Sequence, residues 1–380
     1  MKKNVLLAIY TPPEFYPPTL NLVRCLSDDF NSVTVVCRNL LTPHWDFPAN
    51  IRVIRSGKPV SIRTSEQWGF HHKIKSFADF TLSLVRAYSN QPSNWLILCD
   101  TIPVLSFSLI KGLLKPITRT WYHNHDVAEL HTLRKGSVGW MAYYAEKHQF
   151  KNFDLFTLPD EGRLGYFPIA KLKGHRACLP NYPAKAFFQP FSPATAPLSC
   201  LRILYQGSID QGHGLEEIME LLIQGKLGWK AQLVLVGKGN DDFIHALQAK
   251  AGACGQNDVL DYRGFVPYAQ LPELTASCHI GIGIYCPNNI MNRTVGSASN
   301  KIYEYAALGL PVLLLDNSYW RERMGAYSWC FFTDLSRDSL VNQLNQMRLG
   351  FLEYSAQARS AFADTMNFEN HYKQIFPYLA

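Results

Sequence analysis

The chain has 380 residues, of which 47% are apolar and 18% are charged, so it is long enough for two or three globular domains with buried cores. Its nine cysteines form no C-x-x-C pair and no cluster with histidine, which argues against a disulfide framework and predicts a reduced, cytoplasmic protein. Residues 1–18 are read as a first β-strand rather than a signal peptide, and no apolar run approaches the ~18 residues that cross a bilayer.

Charge is distributed unevenly along the chain. Residues 1–190 contain 23 Lys and Arg against 13 Asp and Glu, a net charge of +10, whereas residues 191–380 contain 14 against 17, a net charge of −3. Basic residues alternate with aromatic and apolar ones in 68–77 and 108–123, a mixture that suits an anionic membrane surface. A solvated basic face is the alternative, and no nucleic-acid-binding motif is present.

The first half of the chain alternates between predicted strands and helices. Strands are predicted at 4–10, 32–38, 51–56, 94–100, 118–123 and 155–159, with helices at 19–29, 70–89, 103–114 and 137–152. This alternation predicts a doubly wound parallel sheet.

A segment rich in Pro, Ala and Ser at 183–199 predicts a linker, and a second alternating series follows it. Its strands are predicted at 202–207, 231–237, 259–264, 279–285 and 312–315, and its helices at 214–224, 241–252, near 268–277 and from about 300. We therefore predict an N-terminal domain at 1–185, a linker at 186–200, a C-terminal domain at 201–355 and a helical segment at 356–380 that packs back on the first domain.

The stretch SNKIYEYAALGLPVLLLD, residues 299–316, predicts a short helix that leads into a buried strand. Ser299 or Asn300 caps the helix, and Gly309 with Pro311 ends it. Lys301 and Glu304 then share a face near the helix start, close to the strand ends where open α/β sheets bind ligands. Lys301 can reach a diphosphate there, with a solvated lysine as the alternative, and the alternative for Glu304 is a surface ion pair with Lys301.

Four segments in this order resemble the donor-binding half of family 4 retaining glycosyltransferases of the GT-B fold: ILYQGSIDQGHGLEEIMELL, LVLVGKGN, LDYRGFVPYAQLPELTASCHIGIGIY and SNKIYEYAALGLPVLLLD. The resemblance covers 201–316 well and extends weakly to WYHNHDVAEL, AEKHQF and LPNYP. It implies two Rossmann-like doubly wound domains that face a central cleft, the first binding the acceptor and the second a nucleotide-sugar.

The resemblance assigns donor-binding roles by position. Glu304 would bind the ribose hydroxyls of the nucleotide. A second glutamate of the family pattern is replaced here by Gly296, so we expect the backbone of 294–299 to contribute to sugar recognition. His213 stands where the family usually has Arg or Lys, and we expect it to donate to phosphate, with a simple loop histidine as the alternative.

Two glycine-containing loops complete the donor prediction. Gly207, Gly212 and Gly214 follow a strand and precede a helix, so their backbone N–H groups can approach phosphate oxygens. Gly237 and Lys238 belong to a second loop, GKGN, whose G-x-G alone is a weak signal, and the full dinucleotide fingerprint is absent.

His123, His125 and Asp126 cluster after a predicted strand, and the resemblance places such a histidine beside the sugar. We predict that these three residues contact the sugar or the acceptor, with a locally bonded strand end as the alternative. In retaining transfer the leaving diphosphate itself can act as base, so no protein nucleophile is required. The proline-rich loop 10–19 is expected to shape the acceptor site.

The resemblance implies a hexosyltransferase-type enzyme with no resident cofactor. No D-x-D pair is present to hold a divalent cation, which agrees with a metal-independent mechanism. The predicted partners of the enzyme are a nucleotide-sugar, a hydroxyl acceptor such as a lipid-linked saccharide in bacterial-type surface polysaccharide or glycolipid assembly, and the inner face of a membrane. Two alternatives stay open: a nucleotide-sugar epimerase on the same fold and a non-catalytic nucleotide-sugar-binding scaffold.

Overall fold

The computed structural model describes residues 3–194 and 200–379. The chain forms two compact units. Unit 1 comprises the chain up to Asn181 together with the segment from Phe368, and unit 2 runs from Tyr182 to Asn367. Each unit is built around its own parallel β-sheet flanked by helices.

In unit 1 the described residues form seven parallel strands in the order β3-β2-β1-β4-β5-β6-β7. The strands are β1 (Asn4–Ile9), β2 (Ser32–Leu40), β3 (Ile51–Val60), β4 (Trp95–Cys99), β5 (Arg119–His123), β6 (Leu155–Leu158) and β7 (His175–Cys178). The central strands are almost entirely buried, as expected for a sheet covered by helices on both faces. The strand order reverses between β1 and β4, which is where ligands bind in sheets of this kind.

Helices connect these strands. They are α1 (Pro17–Asp29), α2 (Ile62–Glu66), α3 (Phe70–Asn90), α4 (Thr101–Ile110) and α5 (Val138–Gln149). Pro17 and Pro18 occupy the first turn of α1, where a missing N–H costs nothing. Ser137 caps α5 by accepting a bond from the N–H of Trp140 at 3.2 Å.

In unit 2 the described residues form six parallel strands in the order β10-β9-β8-β11-β12-β13. The strands are β8 (Leu201–Gln206), β9 (Ala231–Val236), β10 (Leu260–Gly264), β11 (Ile280–Ile282), β12 (Val312–Leu315) and β13 (Cys330–Thr333). The order reverses between β8 and β11, so the carboxyl ends of these two strands mark the ligand-binding edge of unit 2.

The helices of unit 2 lie on both faces of its sheet. They are α6 (Lys185–Phe188), α7 (Leu215–Ile223), α8 (Asp241–Ala253), α9 (Leu271–Ala276), α10 (Ile290–Arg293), α11 (Asn300–Ala307), α12 (Ser318–Met324), α13 (Arg337–Leu349) and α14 (Phe351–Asp364). The core of the unit joins α7, α8 and α13 to the strands.

The last helix, α15 (Phe368–Leu379), belongs to unit 1. Its apolar residues Phe368, Tyr372, Ile375 and Leu379 enter the core of that unit. The indole N–H of Trp95 on β4 also donates to the carbonyl of Leu379 at 3.1 Å. Helix α15 is therefore part of the core of unit 1, although it follows unit 2 in the sequence.

The predicted α/β fold with two Rossmann-like, doubly wound sheets is confirmed. The sequence reading missed β7 and β13, each of four residues. Of the predicted linker, 195–199 lie outside the described residues, and 185–188 form the helix α6. The predicted domain functions stay predictions. No described helix is long and apolar enough to cross a membrane.

Candidate active site

The ligand-binding edge of unit 2 is formed by two glycine loops whose backbones touch. Gly207 directly follows β8 with a φ of 131°, and Gly237 directly follows β9 with a φ of 138°. A Cβ atom on Gly237 would lie 1.8 Å from the carbonyl oxygen of Gly207. Both positions favour glycine because of their positive φ, and position 237 also lacks the space for a Cβ atom.

The remainder of the first loop leads into α7. Gly212 and Gly214 have φ values of 85° and 71°, and Gly214 is the N-cap residue of the helix. A Cβ atom on Gly214 would lie 2.9 Å from the Ile284 side chain, which follows β11. The predicted phosphate-binding loop thus packs directly against the other side of the switch point.

Lys301 lies in the first turn of α11 with only 8% of the residue exposed. Its Nζ lies 3.8 Å from the centroid of the Tyr205 ring and 4.7 Å from that of Tyr285, and a Cβ atom on Gly207 would lie 3.5 Å from Nζ. Within the described chain the ammonium has no hydrogen bond and no carboxylate within 4.0 Å. Burial lowers the pKa of Lys301 to about 7, although Glu304 opposes this shift.

Glu304 lies one turn further along α11 and is 4% exposed. Its carboxylate accepts a hydrogen bond from the amide of Gln206 at the end of β8, and Thr275 Oγ1 donates to the Oε1 of that amide at 3.0 Å. Burial raises the pKa of Glu304 to about 7, and the Tyr268 hydroxyl and the Gln206 amide act against it. A carboxylate has about four acceptor positions, so capacity for hydroxyl donors remains.

The alternative of a surface ion pair between Lys301 and Glu304 is wrong, because both side chains are buried and lie more than 4.0 Å apart. Ser299 caps α11 by accepting from the N–H of Ile302 at 3.4 Å, and its hydroxyl lies 2.9 Å from that of Tyr285. The buried Oδ1 of Asn300 has no hydrogen-bond partner among the described residues. It is therefore an acceptor available to a ligand.

His213 lies between the rings of Tyr205 and Tyr285, at centroid distances of 5.1 and 5.7 Å. Its Nδ1–H donates to the carbonyl of Ile284 at 2.9 Å. Burial and then Lys301 lower the pKa of His213 to about 4. In the neutral ring Nε2 is an acceptor, so the predicted bond to a phosphate requires protonation. Lys238, in contrast, is exposed, with its ammonium 5.3 Å from the centroid of Phe265.

The structure of unit 1 brings His123, His125 and Asp126 together around Asp100, at the carboxyl ends of β4 and β5. The Asp100 carboxylate accepts from the backbone N–H groups of His125 at 2.7 Å and Asp126 at 3.3 Å. It also accepts from the Nδ1–H of His125 at 3.0 Å. Asp100 has a φ of 67°, an uncommon conformation for a residue other than glycine.

These contacts orient the His125 ring. Nδ1–H donates its hydrogen bond to Asp100, so in a neutral ring Nε2, which lies 3.3 Å from the Thr19 hydroxyl, is the acceptor. The ring is completely buried and packs 4.5 Å from the Tyr16 ring centroid. Arg163, also buried, donates to the carbonyl of His125.

His123 and Asp126 differ in exposure. The His123 Nδ1 lies 2.7 Å from the Thr157 hydroxyl, and its Nε2 has no partner within the described residues. Burial, with a smaller effect of His125, lowers the pKa of His123 well below its usual range. The Asp126 side chain is 54% exposed and accepts a hydrogen bond from Tyr16, so it is the member of this group that solvent and ligands can reach.

The sequence analysis did not single out Asp100, Arg163 or Gln206 as functional residues. Asp100 directly follows a buried strand and Gln206 ends one, each at the ligand-binding edge of its sheet, a pattern that was visible in the sequence. Arg163 had no such signal, since it lies in the irregular 3₁₀ segment Glu161–Tyr166.

Solved structures similar to this one extend over almost the whole chain. They include sucrose-phosphate synthase from Thermosynechococcus elongatus, with a TM-score of 0.72, 11% identity and coverage of 99% of this chain and 100% of that chain. Anabaena HepE in complex with UDP-glucose has a TM-score of 0.67 and 12% identity, with coverage of 99% of each chain. WaaG, a glycosyltransferase involved in lipopolysaccharide biosynthesis, has a TM-score of 0.65 and 14% identity, with coverage of 97% of this chain and 98% of that chain.

At these identities the likeness shows the fold, and the chain therefore has the predicted GT-B fold. No protein-family model and no curated protein matches the chain by sequence. Membership of family 4, retention, metal independence and the roles of the site residues stay predictions.

Proposed function

We propose that this protein is a retaining glycosyltransferase that moves a sugar from a nucleoside diphosphate sugar to a hydroxyl group of an acceptor, without a metal ion. The observation that supports this best is the pair formed by Lys301 and Glu304 at the switch point of unit 2. The two buried side chains lie three residues apart on α11. The Lys301 amine, with no carboxylate within 4.0 Å in the described chain, suits a diphosphate, and the Glu304 carboxylate suits hydroxyl groups.

The surrounding residues support the same ligand. Gly207 lies beside the Lys301 ammonium, which extends from the first turn of α11, so a diphosphate bound there can meet both the amine and backbone N–H groups. The unpaired Oδ1 of Asn300 adds an acceptor for a sugar or ribose hydroxyl. Similar folds bind such ligands, since the HepE structure contains UDP-glucose.

In the proposed reaction the bond between the anomeric carbon and the diphosphate breaks, and the acceptor oxygen bonds to the same face of that carbon. The leaving diphosphate takes the acceptor proton, and Lys301 stabilises the negative charge that develops on it. Asp100 holds His125 in one tautomer, and His125, Asp126 and His123 contact the sugar or acceptor. Neither a protein nucleophile nor a metal ion is needed for these steps.

The acceptor is proposed to belong to surface polysaccharide or glycolipid assembly in the cytoplasm, at the inner face of a membrane. The basic, aromatic composition of the first half supports this location. The role of WaaG, which has a similar fold, in lipopolysaccharide biosynthesis is consistent with it.

The first experiment is a thermal-shift panel of UDP-, GDP-, ADP- and dTDP-sugars on wild type and Glu304→Ala. A ligand that binds only the native state raises the melting temperature, so one nucleotide class should produce a shift that the variant loses. With that donor, transfer to a hydroxyl acceptor is followed by NMR of the anomeric proton in EDTA. Loss of activity in EDTA would contradict metal independence, an inverted product would contradict retention, and turnover of the donor to an epimer without acceptor would identify an epimerase.

A further inference from the structure

A cavity of about 580 Å³ opens in unit 1 between the carboxyl ends of β2 and β3 and the helix α3. We name it the α3 cavity. Its walls include Arg38, Lys58, Lys75 and Arg86, together with Trp68 and Asp79. It lies on the same edge of the sheet as Asp100 and His125, because the parallel strands of unit 1 all end there.

The charge of the α3 cavity is not compensated from within the fold. Four lysine and arginine side chains line it against the single carboxylate of Asp79. In the described part of the chain none of the four forms an ion pair with a carboxylate within 4.0 Å. Concave sites lined by one sign of charge concentrate ions of the opposite sign, so the cavity favours an anion.

Arg38 anchors the inner end of the cavity. Its Nε–H donates to the carbonyl of Tyr10 at 3.3 Å, and its guanidinium carbon lies 4.3 Å from the centroid of the Tyr10 ring. The Tyr10 hydroxyl in turn donates to Ser76 at 3.0 Å. These contacts fix the guanidinium at the end of β1, beside the switch point, and leave its remaining N–H groups for a ligand.

The cavity also has a surface for an uncharged part of the ligand. The Trp68 ring is partly exposed and stacks on His72 at a centroid distance of 6.2 Å, and Leu82 is 52% exposed. A second cavity of about 440 Å³ shares Arg38 and Trp68 and adds Lys73 and Arg134. A ligand with a phosphate and a sugar or lipid portion fits this pattern better than a simple inorganic ion.

We propose that the α3 cavity binds the phosphate or diphosphate group of the acceptor substrate. This inference rests on the proposed transfer reaction, and it names the class of acceptor as a phosphoester rather than a neutral saccharide. It also assigns Lys75, which the sequence placed on a membrane-facing segment, to a small-molecule site.

The test compares binding of phosphorylated and unphosphorylated probes by calorimetry at low ionic strength. A soluble source is represented by glucose 6-phosphate against glucose, and a lipid source by farnesyl diphosphate against farnesol, both in detergent micelles. The variants are Lys75→Glu/Arg86→Glu and the milder Lys75→Gln/Arg86→Gln. The matched control, Lys171→Glu/Lys173→Glu, changes the same charge on exposed residues at the amino end of the sheet.

We expect one phosphorylated probe to bind more tightly than its phosphate-free partner. We expect the charge reversal to weaken that binding about tenfold or more, since two side chains of the cavity wall would then repel the anion instead of attracting it. The affinity of the Gln variant for the phosphorylated probe should lie between those of wild type and the charge-reversed variant. The affinity of the control should stay within about twofold of wild type. The probe that responds distinguishes a soluble phosphoester from a lipid diphosphate.

Two results would overturn the inference: equal binding of both members of each probe pair, or unchanged phosphoester binding in both double variants. The nucleotide-sugar thermal shift of the same variants separates this proposal from the proposed function. Variants that keep the nucleotide-sugar shift but lose the phosphoester support the cavity as a separate site. If no nucleotide-sugar binds while the phosphoester does, the transfer reaction fails and the anion site stands.

Discussion

The ammonium of Lys301 lies 3.8 Å from the centroid of the ring of Tyr205, a residue of β8, the first strand of unit 2. The aromatic face stabilises a cation only partly, and burial lowers the pKa of Lys301 to about 7. A bound diphosphate would supply the negative charge that no described side chain places within 4.0 Å of the ammonium. We therefore expect diphosphate to bind here and to stabilise the charged form of Lys301.

Replacing Lys301 by Met should therefore separate binding from stability. Nucleotide-sugar affinity should fall about tenfold to hundredfold, the size expected for one hydrogen bond to a charged group. The melting temperature of the unliganded protein should rise, because an apolar side chain removes a poorly solvated cation. Calorimetric titration and thermal unfolding of the same samples measure both effects.

Lys226→Met is the matched control, since Lys226 is exposed in unit 2. It should change neither quantity appreciably. Nucleotide-sugar affinity that survives Lys301→Met would remove Lys301 from the donor site. In wild type the affinity should also fall as pH rises through about 7, where the unliganded lysine loses its proton.

The pKa of Glu304 predicts a pH dependence of stability. Burial raises this pKa to about 7 in the folded protein, from an ordinary value of 4.5, so the folded state binds more protons than the unfolded state between these values. The contribution of Glu304 to the free energy of unfolding is thus present below pH 4.5 and is lost as pH rises through about 7. Chemical denaturation of wild type and Glu304→Gln across pH 4.5–7.5 measures it.

Glu304→Gln should show a flatter profile over this range, because glutamine does not titrate. The variant keeps side-chain size and isolates the ionisation from packing. Parallel profiles for the two proteins would show that Glu304 does not have the raised pKa. The same variant should bind the nucleotide-sugar about tenfold or more weakly, since an amide accepts fewer hydroxyl donors than a carboxylate.

The sequence predicted most of unit 2 because its signals are local. Ser299, Gly309 and Pro311 mark the limits of α11, and the structure agrees to within a residue at its start. The burial of Lys301 was not predictable in this way, since it depends on Tyr205 and Tyr285, which are distant in sequence.

Asp100 illustrates the same limit in unit 1. Its position after a buried strand was visible in the sequence, but its bonds reach residues 25 and 26 positions later. Those bonds exist only once β4 and β5 pair. Strand β7 was missed because its sequence, HRAC, begins with two exposed polar residues and has no apolar run, and the run CFFT of β13 cannot be told from a helical segment by periodicity.

Asp100→Ala should impair both the fold and the reaction. It leaves two backbone N–H groups and the His125 ring without their acceptor, and we expect the free energy of unfolding to fall by about 1–3 kcal/mol. We expect kcat to fall more than nucleotide-sugar affinity, because Asp100 positions His125 in unit 1. Steady-state kinetics and denaturant unfolding test the two expectations.

Asp100→Asn provides the more specific comparison. Its amide oxygen still accepts from the backbone, but the change removes the charge that holds the Nδ1 proton of His125. If the reaction depends on this orientation of His125, kcat should fall in Asp100→Asn while stability and nucleotide-sugar affinity are largely kept. Asp46→Asn, at an exposed position, is the control. An unchanged kcat would restrict Asp100 to a structural role.

His213 should not titrate between pH 5 and 8 in the unliganded protein, because burial and Lys301 lower its pKa to about 4. A bound diphosphate should raise this pKa, since an anion near Nε2 favours the protonated ring. NMR of the imidazole protons with and without UDP tests this, with exposed His245 as an internal reference. A His213 pKa unchanged by UDP would assign the ring a purely structural role.

The exposed apolar residues of the two basic segments of unit 1, 68–77 and 108–123, lie at opposite ends of its sheet, so membrane contact through one can be distinguished from contact through the other. The helix α3 begins at the carboxyl end of the sheet, where Phe70 is exposed, whereas Leu113 and Ile117 lie beyond the end of α4, at the amino end. Leu113 and Ile117 are 64% and 71% exposed and flank Lys115, a pattern typical of a membrane-surface contact.

We expect wild type to sediment with anionic vesicles at low salt, Leu113→Ser/Ile117→Ser to sediment less, and Phe70→Ser/Ile74→Ser to behave as wild type. The opposite order would place the contact at α3, and no sedimentation of wild type would refute membrane binding altogether. Neutral vesicles provide the control, because the attraction depends on the surface charge.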